Sequence, residues 1–180
     1  MRKALGFILS KGSKAYLNDI CAKLNANSTE RVTPNVSQQY TLFILEKLEK
    51  QKFVFLTNEE STFGHDMISA TGTIKGWEEI IGEKLSPIIE TVLLKLQDTA
   101  VSPGSGISNN IIVQAIKQCP EFSDVETLVE DLSGQKTDVT LEAIFKILEY
   151  RELILVRGDR MSGRSVELLA SGRAELWKEA

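Results

Sequence analysis

Two stretches of this 180-residue chain repeat one another at an offset of 100 residues, and a repeat of that kind restricts the fold to two copies of one small unit. Ile44, Leu48, Glu49, Ala70, Gly72 and Trp77 recur as Ile144, Leu148, Glu149, Ala170, Gly172 and Trp177. Between them the apolar run Phe53, Val54, Phe55, Leu56 is matched by Leu153, Ile154, Leu155, Val156, and Thr71 is matched by Ser171. The shared positions are apolar, glycine and tryptophan, the types that govern packing and backbone geometry. The spacing therefore predicts two domains, residues 1–85 and 86–180.

Within the first copy, Tyr16, Leu17, Ile20 and Leu24 recur at helical spacing, and a second stripe runs through Val36, Tyr40, Phe43, Ile44 and Leu48. The period then changes: Phe53 to Thr57 and Met67 to Ala70 are short apolar segments around a polar loop, the pattern of a hairpin. Thr71 stands where a helix N-cap belongs, ahead of Trp77, Ile80, Ile81 and Leu85 on one helical face. The second copy opens near Pro87 with a helix carrying Ile88, Ile89, Val92, Leu93 and Leu96. Ser108 can cap the next helix, which Pro120 closes. An acidic insert without counterpart in the first copy follows, holding Glu121, Asp124, Glu126, Glu130 and Asp131. A third helix from Val139 to Tyr150, a hairpin and a last helix containing Trp177 complete the copy.

Three helices, a two-stranded hairpin and a final helix form the pattern of the winged helix. The expected fold is mainly α with small β-hairpin wings (α+β), in two tandem winged-helix domains. From Val36-Ser37-Gln38-Gln39-Tyr40 through Leu48-Glu49-Lys50-Gln51-Lys52-Phe53-Val54 the first copy resembles the third helix and first wing strand of MarR-type regulators, many of which place a glycine near the position held here by Lys52. That resemblance implies a non-enzymatic regulator binding double-stranded DNA, its two units acting as a pseudo-dimer. As an acidic tandem of winged helices the chain also resembles, in architecture, the kleisin-interacting subunits of chromosome-organising complexes. That implies an adaptor whose surfaces grip partner helices.

In a DNA-reading winged helix the third helix presents its outer face to the major groove and the wing touches the backbone. Off the apolar stripe of the first copy lie Ser37, Gln38 and Thr41, types that can reach base edges or phosphates. The first wing, Asn58 to Asp66, carries three acidic residues and no lysine or arginine, which repels phosphate. The second reverses this: Arg157, Arg160 and Arg164 stand on a loop with two glycines, suited to clamping a phosphate backbone. At the second third-helix, however, the positions equivalent to Ser37, Gln38, Thr41 and Leu45 are Thr137, Asp138, Leu141 and Phe145, an acidic and apolar set suited to a protein interface or to packing against the first domain. Self-association through Trp77, Ile80, Leu85 or the C-terminal helix is a further expectation.

The formal net charge is −4; residues 1–86 hold 11 basic and 10 acidic side chains, residues 87–180 hold 10 and 15. That balance disfavours a protein that coats nucleic acid indiscriminately. Cys21 and Cys119 lack Cys-x-x-Cys spacing, and His65 is the only histidine, so no zinc site, other metal site or cofactor is expected. His65 falls in a polar loop, where an exposed imidazole without a special role is expected. Gly104-Ser105-Gly106 lacks the strand and lysine of a phosphate loop, and there is no Gly-x-Ser-x-Gly or His-Glu-x-x-His, so no catalytic residues are assigned. Met1-Arg2-Lys3 followed by Ala4 to Leu9 imitates a signal peptide, but Lys11-Gly12 interrupts it. No export, no membrane span and a cytoplasmic or nucleoid-associated location are expected.

Overall fold

The apolar run near the start of the chain forms a buried helix, α1 (Arg2–Ser10), in which Ala4 to Leu9 are all shielded from solvent. The computed structural model describes residues 1–25, 34–60, 66–102, 105–134, 138–158 and 163–177. After α1 come β1 (Lys14–Tyr16), α2 (Leu17–Asn25), α3 (Pro34–Lys50), β2 (Val54–Glu60), β3 (Asp66–Gly72) and α4 (Ile74–Ile81). The three strands form an antiparallel sheet in the order β1-β3-β2. Ala70 pairs with both Ala15 and Leu56, placing these small and apolar side chains on one face, where Ala15 and Ala70 are buried. Tyr16, expected to open a helix, instead ends β1 opposite Ser69.

Thr71 is not the helix cap. It pairs with Lys14 and Phe55 inside the sheet, and the cap is Thr73, whose Oγ1 accepts the Gly76 N–H at 3.0 Å while its hydroxyl donates to the Lys52 carbonyl at 2.8 Å. Both strands of the hairpin are longer than their apolar runs, because Asn58 to Glu60 continue the ladder to Asp66. His65 lies outside the described residues.

A short 3-10 turn, Gly82–Lys84, precedes α5 (Leu85–Thr99), β4 (Ile107–Ser108), α6 (Asn109–Gln118), α7 (Pro120–Ser133), α8 (Val139–Tyr150), β5 (Ile154–Arg157), β6 (Ser165–Leu168) and α9 (Ala170–Leu176). The second sheet has the order β4-β6-β5 and is again antiparallel. Helix α5 buries Leu85, Ile88, Ile89, Val92, Leu93 and Leu96, a stripe at helical spacing. Ser108 occupies the N-cap position of α6, but its side chain makes no capping bond. The acidic insert is a helix, α7, with Phe122, Val125 and Val129 buried at spacings of three and four, so its carboxylates occupy the remaining faces. The described residues are thus mainly helical, with two small antiparallel sheets of three strands each, an α+β composition.

Packing divides the chain into Met1–Ile81 with Thr127–Thr140, and Gly82–Glu126 with Leu141–Ala180. The sequence places the division between residues 85 and 86 and leaves each part continuous. The difference comes from the insert: Gly6 on α1 leaves no room for a Cβ beside Leu132, and Gly12 none beside Val139, so this segment packs within the first unit.

The repeat holds without a gap only as far as the hairpins. Leu56 N–H donates to the Glu49 carboxylate at 3.0 Å and Val156 N–H to that of Glu149 at 3.3 Å, an offset of 100. Val54 pairs with Gly72, 18 residues on, but Ile154 pairs with Leu168, 14 residues on, so the second hairpin is four residues shorter. Beyond it the equivalences shift to 96. Thr73 N–H and Leu169 N–H each donate at 3.1 Å, to the carbonyls of Phe53 and Leu153. Gly76 and Gly172 each press against those same two carbonyls, where a Cβ would collide. Trp77 therefore corresponds to Arg173, and the alignment of Trp77 with Trp177 is overturned.

Candidate interaction surfaces

Helix α3 is the element on which most of the first unit's candidates depend. Its buried arc is Thr41, Ile44, Leu45 and Leu48, spaced three and four apart. Tyr40 and Phe43, expected in the core stripe, face solvent instead at 63% and 50% exposure. Thr41, expected to reach toward bases, is 1% exposed and belongs to the core. The apolar count alone favoured Tyr40 and Phe43; the position of Leu45 turns the helix so that Thr41 comes inside.

Along the outer side of α3, Tyr40, Phe43, Lys47 and Lys50 follow one another at spacings of three, four and three, so they share a face. The Lys47 ammonium lies 4.4 Å from the Phe43 ring centroid, a cation–π contact that holds both side chains upright on the surface. Gln38 is exposed near the start of the helix, and its Nε2 donates to Asn18 Oδ1 on α2 at 3.1 Å. Ser37 lies in the first turn and its side chain falls outside the described residues.

In the second hairpin Arg157 and Arg164 have partners. Arg157 Nη2 is 3.1 Å from Glu167 Oε2, and Arg164 Nη1 is 3.3 Å from Glu142 Oε2. Arg160 lies outside the described residues. Ion pairs this exposed contribute about 0.2–1 kcal/mol, so a stronger anion can displace the glutamates. Two of the three arginines expected to clamp a phosphate backbone thus each lie beside a glutamate.

No protein family, curated protein or solved structure matches this chain.

Helix α8 differs from α3. Ala143, Ile144, Phe145, Ile147 and Leu148 are all buried, which leaves Lys146, Glu149 and Tyr150 as its exposed side chains in the last two turns. The candidate interface residues are consequently separated by burial: Asp138 is exposed, Leu141 half-buried, and Phe145 only 5% exposed. Phe145 is a core residue. Its apolar character was legible in the sequence, but burial on the far side of an already apolar helix was not. The residues suggested for self-association fare similarly, since Ile80 and Leu85 are buried and Trp77 is half-buried. Trp177, at the end of α9, is exposed.

Sequence reasoning missed the Tyr40–Phe43–Lys47 face because an aromatic at helical spacing reads first as core. Among the described residues no three His, Cys, Asp or Glu side chains are grouped as metal ligands, and no helix is long and apolar enough to cross a membrane.

Proposed function

We propose that this chain is a non-enzymatic protein-interaction adaptor built from two winged-helix-type units, and that it docks partners on the outer face of α3. The observation that carries the reading is the exposure of Tyr40 and Phe43, one turn apart, on a helix that also carries Lys47 and Lys50. Exposed aromatics flanked by cations are the composition of interface anchors rather than of an inert surface. The two lysines select a partner segment with an apolar face and acidic residues beside it. Each unit's order of helix, short strand, helices, two strands and helix supports the winged-helix assignment. The acidic tandem architecture is the one in which kleisin-interacting subunits grip helices. We place the adaptor in the cytoplasm, where Cys21 and Cys119, both free thiols, stay reduced.

A second reading, a duplex-DNA regulator, is favoured by one specific observation: the Arg157 side chain is 65% exposed despite its glutamate partner. Against it stand the burial of Thr41, the Gln38–Asn18 hydrogen bond and the burial of most of α8, which removes a second reading helix.

The deciding experiment places a photo-cross-linking amino acid at position 43, and separately at the exposed Glu79 of α4 as control, in the full chain expressed in its native cells. The adaptor reading expects a discrete protein adduct from position 43 that is absent from position 79 and lost when Tyr40 is changed to alanine. Fluorescence anisotropy with a generic duplex at low salt runs beside it. Salt-dependent micromolar binding that disappears in an Arg157→Ala, Arg164→Ala variant, with no protein adduct, overturns the adaptor reading in favour of DNA.

A further inference from the structure

A groove of about 610 Å³ runs along the second unit between α5 and α6, and neither reading of α3 or the wings uses it. Thr91 Oγ1 on α5 approaches the Sγ of Cys119, the residue after α6, at 3.8 Å, and a short connection joins the other ends, so the two helices are antiparallel. The groove has a structural cause. Where the helices face one another the lining side chains are Thr91, Ala115 and Cys119, all small, and they leave open the space between Leu94 and Ile111. Pro120 and Glu121 close one end, where the Cys119 thiol donates to the Glu121 carboxylate at 3.0 Å.

Floor and edges differ in chemistry. Cys119 is buried and Thr91, Ile111 and Ala115 are half-buried, while Lys95 and Asp98 stand exposed on the α5 edge and Gln114 and Gln118 on the α6 edge. None of these four edge side chains makes a hydrogen bond or ion pair among the described residues. Gln114 and Gln118 are one turn apart, about 6.0 Å at 1.5 Å per residue, close to the roughly 6.6–6.8 Å between alternate residues of an extended chain. Each carboxamide presents a donor and an acceptor together, the complement of a peptide N–H and C=O. Alternate residues of a strand turn these groups to the same side, and the residue between turns its own to the other, where Lys95 stands to donate. A helical partner has its backbone bonds made internally and offers such edges nothing.

We propose that the groove docks an extended peptide segment, with two alternate apolar side chains on its floor, the backbone between Gln114 and Gln118 on one edge and Lys95 on the other, and a basic residue beside Asp98. Burial of the apolar side chains supplies most of the affinity, and the backbone bonds select the extended form. The site is a second docking surface, in the other unit from α3 and sharing no residue with it. Cross-linking at position 43 and occupation of the groove therefore succeed or fail separately.

The test is a titration of uniformly ¹⁵N-labelled full chain with the peptide acetyl-Arg-Val-Ser-Val-Ser-amide and, separately, with the same peptide N-methylated at both valines, which keeps the side chains and removes two backbone donors. Expected are saturating shifts of the side-chain amide signals of Gln114 and Gln118 and of the backbone amides of Leu94 and Ala115, at a Kd of roughly a millimolar or below. The N-methylated peptide binds more weakly. Gln118→Met, an exposed substitution that keeps length and helix preference, weakens the parent peptide by about two- to tenfold, and Asp98→Asn by about two- to fivefold. The inference is overturned by an absence of saturation at these signals, by equal binding of the two peptides, or by unchanged affinity in either variant.

Discussion

The Lys52 N–H donates to the Glu49 carbonyl at 2.7 Å, closing α3 through a residue with φ of +64°. Phe53 N–H then reaches back to the Leu48 carbonyl at 2.9 Å, and the pair of bonds is the helix terminator in which glycine ordinarily occupies the left-handed position. The same pair recurs at the end of α8, where Glu152 has φ of +55°. Both non-glycine residues carry a conformational strain of about 1–2 kcal/mol, partly offset because glycine has more freedom to lose on folding. Lys52→Gly is therefore expected to stabilise the chain by about 0.5–1 kcal/mol, with Glu152→Gly similar. Urea unfolding measures this, and a loss of stability in both variants would show that the left-handed turns carry no strain.

The cap of α4 gives a sharper contrast. Thr73 accepts from Gly76 N–H and donates to Lys52 O, whereas Thr71 lies in the sheet. Thr73→Ala is expected to cost about 1–2 kcal/mol through the lost cap. Thr71→Ala is expected to cost less than about 0.5 kcal/mol, as a half-exposed substitution away from such a feature. Thermal unfolding of the two variants in parallel checks the order. A larger loss for Thr71→Ala would return the cap to the position the sequence indicated.

How far the sequence carried depends on which physical signal each element leaves in it. Helix α5 was legible because its buried stripe has a single period and no competing apolar face. The first sheet's third strand was not: β1 has three residues, too few for alternation to register, and Tyr16 joins them to the helical pattern of α2. The two left-handed helix ends were hidden because Lys52 and Glu152 stand where glycine would have marked them. The four-residue contraction of the second hairpin left Ala170, Gly172 and Trp177 matching the first copy by type at the wrong offset. Of the candidate site, the wing arginines were visible as charge, while the partners of Arg157 and Arg164 are Glu167 on β6 and Glu142 on α8, positions no local pattern connects.

The start of α7 makes a pH-dependent prediction. The Cys119 thiol donates to Glu121 Oε2 at 3.0 Å, and this bond, with the residue's own backbone N–H, holds the Glu121 carboxyl below the usual carboxylate range. A carboxylate whose folded value is depressed supports the fold above its unfolded value, and that support is lost as pH falls through the folded value. Cys119→Ala should move Glu121 upward in a carboxyl ¹³C titration, while Cys119→Ser, which keeps a donor, should leave it low. Equal titration in both variants would assign the depression to the backbone instead.

Phe43 and Phe145 provide the last comparison, since both are aromatic residues on the helix that precedes a hairpin and they differ in exposure, 50% against 5%. Truncating a buried phenylalanine removes its transfer free energy and leaves a cavity, so Phe145→Ala is expected to destabilise by about 3–5 kcal/mol. Phe43→Ala removes a ring already half in water and held by Lys47, so a change of less than about 1 kcal/mol is expected. Guanidinium unfolding reads both. In binding, the ranking reverses: with the photo-cross-linking amino acid moved to the exposed position 50 on the same face, Phe43→Ala should abolish the protein adduct while leaving the fold intact. A Phe43→Ala loss as large as that of Phe145→Ala would mean that the aromatic face of α3 is core, and the docking surface proposed there would have to be abandoned.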